Sequence, residues 1–261
     1  FSMDVNSFKE IFWLEYLHRL LGRLIGLVFF FPLVFFFIKG YIKKNEFPKY
    51  LLMLILGGMQ GVLGWYMVKS GLINNVSVSH YRLAFHLFTA FIIFSSLLWI
   101  FMNHYLNQNI NFLQINSKFL FIKILFFLIF TQIIIGAFVS GLDAGKVYQT
   151  WPLMNNKYFP DDYSFNNLFN LNNPSFVQFI HRNIAYLIFF LTIYLGIIIY
   201  KNKVIYLYGP YLIFFLFIVL QILLGISVLF SDLNIYFASS HQISSIFLIT
   251  SSLNLYFRSI K

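Results

Sequence analysis

The chain carries one histidine pattern twice, and histidine is a residue that binds metals and haem iron. The two copies are Glu15-x-x-His18-Arg19 and Gln178-x-x-His181-Arg182. A further histidine follows in each half of the chain, His86 in the first and His241 in the second. Neutral imidazole nitrogen is a common ligand of transition metals and an axial ligand of haem iron. The repeat therefore predicts two bis-histidine sites, each for a metal or a haem, in a duplicated protein.

The composition indicates the environment in which such sites would lie. The chain has 261 residues, of which 60% are hydrophobic and only 10% are charged, whereas a soluble domain carries about 25% charged residues. Apolar runs of roughly 20 residues recur, long enough to cross the hydrocarbon core of a bilayer. The sequence contains no cysteine, which excludes disulfides and thiolate ligands. A multi-pass membrane protein is expected.

Seven apolar runs predict an all-α polytopic membrane bundle, because a helix satisfies its own backbone groups in lipid. The predicted spans are about 11–38, 50–69, 80–102, 117–141, 177–200, 207–230 and 236–257. They form a single membrane domain, 1–261, with two pseudo-symmetric halves: three helices in 1–105 and four in 117–261. The helix with Gln132 precedes the second histidine pattern, and the first half has no counterpart to it. A helix before Phe1 is expected to complete the repeat.

The charges on the connecting loops predict the orientation of the bundle. Basic residues gather on one side: Lys39, Lys43, Lys44, Lys49, Lys118, Lys123, Lys201, Lys203, Arg258 and Lys261. Seven of the eight acids fall on the other: Asp4, Glu10, Glu15, Asp143, Asp161, Asp162 and Asp232. By the positive-inside rule the basic side faces the cytoplasm or matrix. Because the net charge of +10 follows this sidedness, no nucleic-acid partner is expected.

The four patterned histidines lie at similar predicted depths on helices that run from outside to inside. At about 1.5 Å of rise per residue, each lies roughly 6–10 Å below the outer boundary. A single histidine in a membrane helix could simply bond a neighbouring carbonyl, but ionisable groups in a bilayer are usually functional. Two bis-histidine sites, His18 with His86 and His181 with His241, are the preferred interpretation. His80 and His104 lie near helix ends and are expected to be interfacial.

Arginines accompany the candidate ligands. Arg19 and Arg182 each follow a histidine, and Arg82 lies one turn before His86. A guanidinium at that depth suits a haem propionate, since it can donate two parallel hydrogen bonds. The alternative is that these side chains extend towards lipid headgroups.

One acid distinguishes the two copies. Glu15 precedes His18 by three residues, so that both project from one helix face, and the second copy has Gln178 at this position. A carboxylate beside only one site could accept a proton during substrate oxidation. The alternative is an acid that merely favours the helix dipole near its N-terminus.

Two further features are open to a structural interpretation. Gln-x-x-x-Gly steps occur at Gln60/Gly64, Gln132/Gly136 and Gln221/Gly225, where small residues let helices, or a flat porphyrin, approach closely. Spacing alone favours plain helix packing. The outer segment from Asp143 to Ser175 mixes aromatic and polar residues, which suits either a lid at headgroup level or an ordered loop.

Longer motifs resemble a known family, haem A synthase, in the cysteine-free type of mitochondria and alphaproteobacteria. The matching segments are Phe8-Lys9, Glu15–Arg23, Gln60–Leu72, Tyr81–Leu87, Gly136–Gly145, Trp151–Met154, Pro160–Asp162, Val177–Arg182 and His241-Gln242. They extend over essentially the whole chain.

The resemblance implies eight helices in two four-helix bundles, and oxidation of the haem O methyl group to a formyl group by successive hydroxylations, giving haem A for cytochrome oxidase. It implies that His181 and His241 ligate a resident haem B. It also implies that His18 and His86 hold the substrate haem, with Glu15 assisting. The first helix of the family is missing here.

The resemblance also implies the setting and the partners. These are membrane lipid, haem O, an electron donor (ferredoxin-like or other), and haem O synthase or oxidase assembly proteins. The setting is a bacterial or mitochondrial inner membrane, with the haem sites towards the periplasmic or intermembrane side. The alternative function is a non-catalytic di-haem b cytochrome that transfers electrons. A transporter is disfavoured, because its helices would be broken near the midplane.

Overall fold

The structure, a computed structural model, consists of seven long α-helices. It describes residues 5–71, 78–114, 120–162 and 169–260. The helices are α1 (Val5–Ile38), α2 (Phe47–Gly71), α3 (His80–Tyr105), α4 (Leu120–Gly141), α5 (Pro174–Lys201), α6 (Tyr208–Phe230) and α7 (Ile235–Ile260). The all-α prediction is confirmed. Asp4, Leu72, Lys118 and Lys261, which the sequence patterns above include, lie outside the described residues, as does the predicted start of the fourth span.

Local sequence explains where these helices begin. At α5 the Asn173 side chain accepts a hydrogen bond from the Phe176 backbone N–H at 2.9 Å, and Pro174 occupies the first turn. An asparagine cap satisfies an N–H that has no partner within the helix, and proline at this position has no N–H to satisfy. Helix α1 continues through Pro32.

Six of the helices, α1 to α6, are long and apolar enough to cross a membrane. The seventh, α7, has 26 residues but a more polar sequence, rich in serine. Its hydroxyls bond the backbone of their own helix: Ser244 donates to the His241 carbonyl at 3.0 Å and Ser251 to the Leu248 carbonyl at 2.9 Å. Because these hydroxyls are satisfied internally, α7 can bury them against its neighbours. The chain is therefore a multi-pass helical membrane protein.

The chain divides into two compact units, residues 1–69 and 70–261. The first unit holds α1 and most of α2. On either side of the turn between them, the rings of Phe37 on α1 and Phe47 on α2 stack, with centroids 4.0 Å apart. Most described side chains of α1 and α2 are exposed.

The second unit is a bundle in which α4, α5, α6 and α7 form a ring. Each of these helices packs against the next, α7 packs back onto α4, and α3 lies against α4 and α7. Large apolar side chains from all five helices fill the interior, among them Trp99, Leu125, Leu195, Phe214 and Leu253. The predicted division into half-bundles at residues 105–117 stays a prediction.

The packing is tight at particular glycines of this bundle. A Cβ built on Gly196 would lie 2.1 Å from the Tyr211 hydroxyl oxygen. That hydroxyl donates to the Thr192 carbonyl at 3.1 Å and so links α6 to α5. Only glycine leaves room for this bond.

Candidate functional site

The second unit brings His181 and His241 together. His181 lies two turns into α5 and His241 two turns into α7, and the two imidazoles interact electrostatically. Both residues are half-buried, and the Nδ1 atom of each is buried without a hydrogen-bond partner among the described residues. The pairing of these two residues at one site stays a prediction.

Helix α4 contacts His181 at two points. The Gln132 side-chain nitrogen donates to the His181 carbonyl at 2.9 Å and lies 3.4 Å from His181 Nε2. One turn later, a Cβ on Gly136 would lie 3.2 Å from Cε1 of the same imidazole. Residues four apart lie on one helix face. Gln132 therefore holds the backbone of His181 while Gly136 leaves space for its ring.

Helix α6 makes the same two contacts with His241. The Gln221 side-chain nitrogen donates to the His241 carbonyl at 3.1 Å, and a Cβ on Gly225 would lie 3.3 Å from His241 Cε1. Both Gln-x-x-x-Gly steps of this unit thus face a histidine on the following helix. The interpretation as plain helix packing was incomplete, and the repeat of the step before each of these histidines was the signal that could have corrected it.

Arg182 and Gln178 anchor the loop that joins α4 to α5. Arg182 is 8% exposed, and its Nη2 and the Gln178 side-chain nitrogen both donate to the Tyr148 carbonyl, at 2.9 and 2.8 Å. Arg182 Nη1 donates to the Thr150 carbonyl at 2.8 Å and to that of Leu153 at 3.3 Å. Arg182 Nε remains without a partner among the described residues. The residue predicted to bind a propionate therefore also holds the loop, a role that the sequence pattern did not indicate.

A second set of hydrogen bonds, centred on Asp162, links the same loop to the start of α5. The buried Tyr148 hydroxyl donates to Asp162 at 2.8 Å, and the Ser175 hydroxyl donates to the other carboxylate oxygen at 2.6 Å. Burial alone would raise the pKa of Asp162, but these two hydrogen bonds hold it below its ordinary value. Burial, together with the bond to Asp162, raises the pKa of Tyr148. The loop is thus an ordered cap over the start of α5.

The cap also reaches the loop between α6 and α7. Gln149 donates to Asp232 at 2.6 Å, and a Cβ on Gly145 would lie 2.8 Å from Leu233. Because α7 begins directly after this loop, the cap connects the starting ends of the two helices that carry His181 and His241. Residues 163–168 of the predicted lid segment lie outside the described part.

The first unit places the other histidine pattern on α1. Glu15 and Arg19 form an ion pair one turn apart, with side chains 45% and 53% exposed, and His18 and Arg23 are also exposed. The corresponding residues of α5, Gln178 and Arg182, instead converge on a loop carbonyl. The Glu15–Arg19 pair was not predicted, although a spacing of four residues is the signal for it.

Helix α3 carries Arg82 and His86, and both are half-buried. His86 and His18 belong to different units, and their pairing stays a prediction. His80 lies at the first residue of α3, where it is buried and its ring meets Phe138 edge to face at 5.3 Å; its expected interfacial depth stays a prediction.

The side chains that could bind a metal determine which chemistry this site can support. Among the described residues, no group of three or more His, Cys, Asp or Glu side chains could hold a metal ion. Two imidazoles are the largest number of ligands that a haem iron can take from a protein, because the porphyrin supplies the other four. The glycine facing each ring and the buried, unbonded nitrogens fit such a group.

Comparison with known proteins agrees with these features. A family model described as COX15-CtaA, cytochrome oxidase assembly protein, matches residues 1–253. The chain is 42% identical to Heme A synthase of Pelagibacter ubique over 257 residues, which is 96% of this chain and 74% of that protein. It is 40% identical to Heme A synthase of Rickettsia prowazekii, over 98% of this chain and 77% of that protein. It is also 40% identical to Heme A synthase of Wolbachia pipientis, over 97% of this chain and 72% of that protein. The chain belongs to the COX15-CtaA family of cytochrome oxidase assembly proteins.

Proposed function

We propose that this chain is a membrane oxidoreductase that converts haem O to haem A for cytochrome oxidase. The observation that carries the proposal is the identity of about 40% to proteins named Heme A synthase over nearly the whole chain. In the proposed reaction one methyl group is hydroxylated twice: each time dioxygen inserts one oxygen atom into a C–H bond, and two electrons from the donor, with two protons, reduce the other oxygen atom to water. Loss of water from the resulting carbon then leaves a formyl group.

In this proposal His181 and His241 hold a resident haem B. Support comes from their proximity, from the glycine facing each ring and from the absence of a third metal-binding side chain near them in the described part. When bound, haem B supplies one-electron transfer between the donor and the substrate site. Arg182 lies next to His181, and its unbonded Nε leaves one donor for a propionate.

His18 and His86 are proposed to hold the substrate haem, and Arg19 and Arg82 to contact its propionates. This assignment rests on the repeated pattern. Glu15 takes a proton during the oxidation, and its ion pair with Arg19 keeps a positive charge beside the carboxylate. The haem sites would lie towards the periplasmic or intermembrane side of an inner membrane, and a ferredoxin-like protein or another donor would supply electrons.

A non-catalytic di-haem electron carrier is the second candidate, because the histidine pairs alone would serve it equally well. The difference between Glu15 and Gln178 separates the two functions. An electron carrier needs no carboxylate at one site only, whereas a proton-coupled oxidation does.

The test is co-expression with a source of haem O, followed by extraction and chromatography of the haems. Wild-type protein should produce haem A, and Glu15→Gln should produce none while keeping its haem B. Glu46→Gln is the matched control, since Glu46 also forms an ion pair on a helical turn of the first unit, with Lys49 at 2.9 Å. Full activity of Glu15→Gln would remove the catalytic assignment, and absence of haem A from the wild type would favour the electron carrier.

A further inference from the structure

The two glutamine–glycine pairs of the second unit have no role in the function proposed so far. Gln132 and Gly136 on α4 contact His181, and Gln221 and Gly225 on α6 contact His241. The distances in the two contacts agree closely, at 2.9 and 3.1 Å for the hydrogen bonds. The same local geometry thus occurs twice in one bundle, each time around a candidate haem ligand.

The hydrogen bonds fix each histidine along its helix. A helical carbonyl already accepts a bond from the residue four positions later, and here it accepts a second from the neighbouring helix. Inside a bilayer such a bond between helices has no water to compete with it. Sliding α5 past α4, or α7 past α6, would break it.

The glycines fix the direction of each ring. A Cβ placed 3.2 or 3.3 Å from the imidazole Cε1 would push the ring by a few tenths of an ångström. Because the backbone of each histidine is held by the glutamine bond, the ring gives way mainly by rotating about its side-chain bonds. Such a rotation would change the direction in which the ligating nitrogen points.

We propose that Gln132 with Gly136 and Gln221 with Gly225 are positioning pairs that set the orientation of the two imidazoles on the iron. This inference rests on the proposed function, in which His181 and His241 hold haem B. The pairs touch the ligands and not the reacting atoms, so they act through His181 and His241.

The two pairs are not equally supported. The His241 carbonyl also accepts a bond from Ser244 at 3.0 Å, whereas Gln132 provides the side-chain bond to the His181 carbonyl. Loss of Gln132 should therefore disturb ligation more than loss of Gln221.

The test compares Gly136→Ala, Gly225→Ala, Gln132→Leu and Gln221→Leu in the full-length protein, purified with its haem. Gly209→Ala is the control, because a Cβ at this glycine of α6 meets nothing within 4 Å. The readouts are the low-spin ferric electron paramagnetic resonance spectrum, the haem midpoint potential and the rate of haem loss on dilution. The angle between two imidazole planes governs the g values, which a purely structural role would leave unchanged.

Both alanine variants should shift the g values and the midpoint potential, and Gly209→Ala should shift neither. Gln132→Leu should lose haem several-fold faster than wild type, and faster than Gln221→Leu. If either alanine variant fails to fold, the spectra, potentials and haem-loss rates of the two leucine variants test the inference. Unchanged spectra, potentials and haem retention in the folded variants would overturn the inference alone. A wild-type protein without bis-histidine haem would overturn the proposed function instead.

Discussion

Arg182 Nη2 donates to the backbone carbonyl of Tyr148 at 2.9 Å, joining the residue beside a candidate haem ligand to the cap above it. The arginine is nearly buried, so its charge is compensated by carbonyl oxygens of the loop and not by water. The order of the cap and the position of His181 are therefore coupled through one side chain.

Replacing Arg182 should loosen the cap. Arg182→Leu removes the bonds to three carbonyls and should destabilise the protein by about 2 kcal/mol, because hydrogen bonds from a charged donor contribute about that much and the loop has few other anchors on α5. Amide hydrogen exchange across residues 143–162 should accelerate, while exchange within α6 stays slow. Arg182→Lys should recover only part of the protection, since one ammonium cannot replace the planar fork. Equal exchange in all three proteins would contradict the anchoring role.

Acid should release the cap through Asp162. Its folded-state pKa lies below the ordinary value, so ionised Asp162 contributes stability that is fully present above the unfolded-state pKa of about 4. That contribution is lost as the pH falls through the lower folded-state value. The exchange rate of the cap amides, divided by their intrinsic exchange rate at each pH, should stay constant from pH 8 to about pH 5 and rise below about pH 4.

Asp162→Asn is the control for this pH dependence. It removes the titrating group, so its cap should exchange faster at neutral pH and show a much weaker rise in acid. A wild-type profile without the acid rise, or a variant with an identical one, would show that another group governs the cap.

Gly141 is expected to tolerate no side chain. A Cβ there would lie 2.7 Å from Cβ and 2.9 Å from Cα of His80, and backbone cannot move aside as a flexible side chain can. Gly141→Ala should lower stability by about 1–3 kcal/mol, as overpacking usually does. Thermal unfolding in detergent measures this, with Gly58→Ala as the control because its Cβ meets nothing within 4 Å. Equal melting temperatures for the two variants would contradict the close approach of α3 and α4.

Removing one of the two proposed haem ligands should lower the haem B content. His181→Ala leaves His241 with no second imidazole, so purified protein should carry much less haem B, and the remaining haem should lose its low-spin spectrum. His104→Ala provides the control, because His104 is an exposed histidine at the end of α3. A spectrum unchanged by His181→Ala would remove this residue from the proposed haem site.

Much of the fold followed from the sequence, because membrane helices are local structures. Long apolar runs predicted all seven helices, mostly to within three residues of their observed ends, although α1 begins at Val5 and not near residue 11. The pairing of His181 with His241 stays a prediction, which rests on their similar predicted depth. Helix α7 differs from the other six because its sequence is more polar. Its serine hydroxyls donate hydrogen bonds to backbone carbonyls of the same helix.

The amino-acid sequence by itself determined the membrane setting and the helix positions, and it named the candidate iron ligands. Only the tertiary structure decided which helix faces which. Gln132 and Gly136 meet His181, Gln178 and Arg182 turn to the cap, and Glu15 turns to Arg19. The reason is physical: periodicity tells where a residue lies along and around its helix. In a bilayer, however, an apolar helix face is as stable against lipid as against another helix. Which helices pack together therefore depends on close packing and on hydrogen bonds between helices.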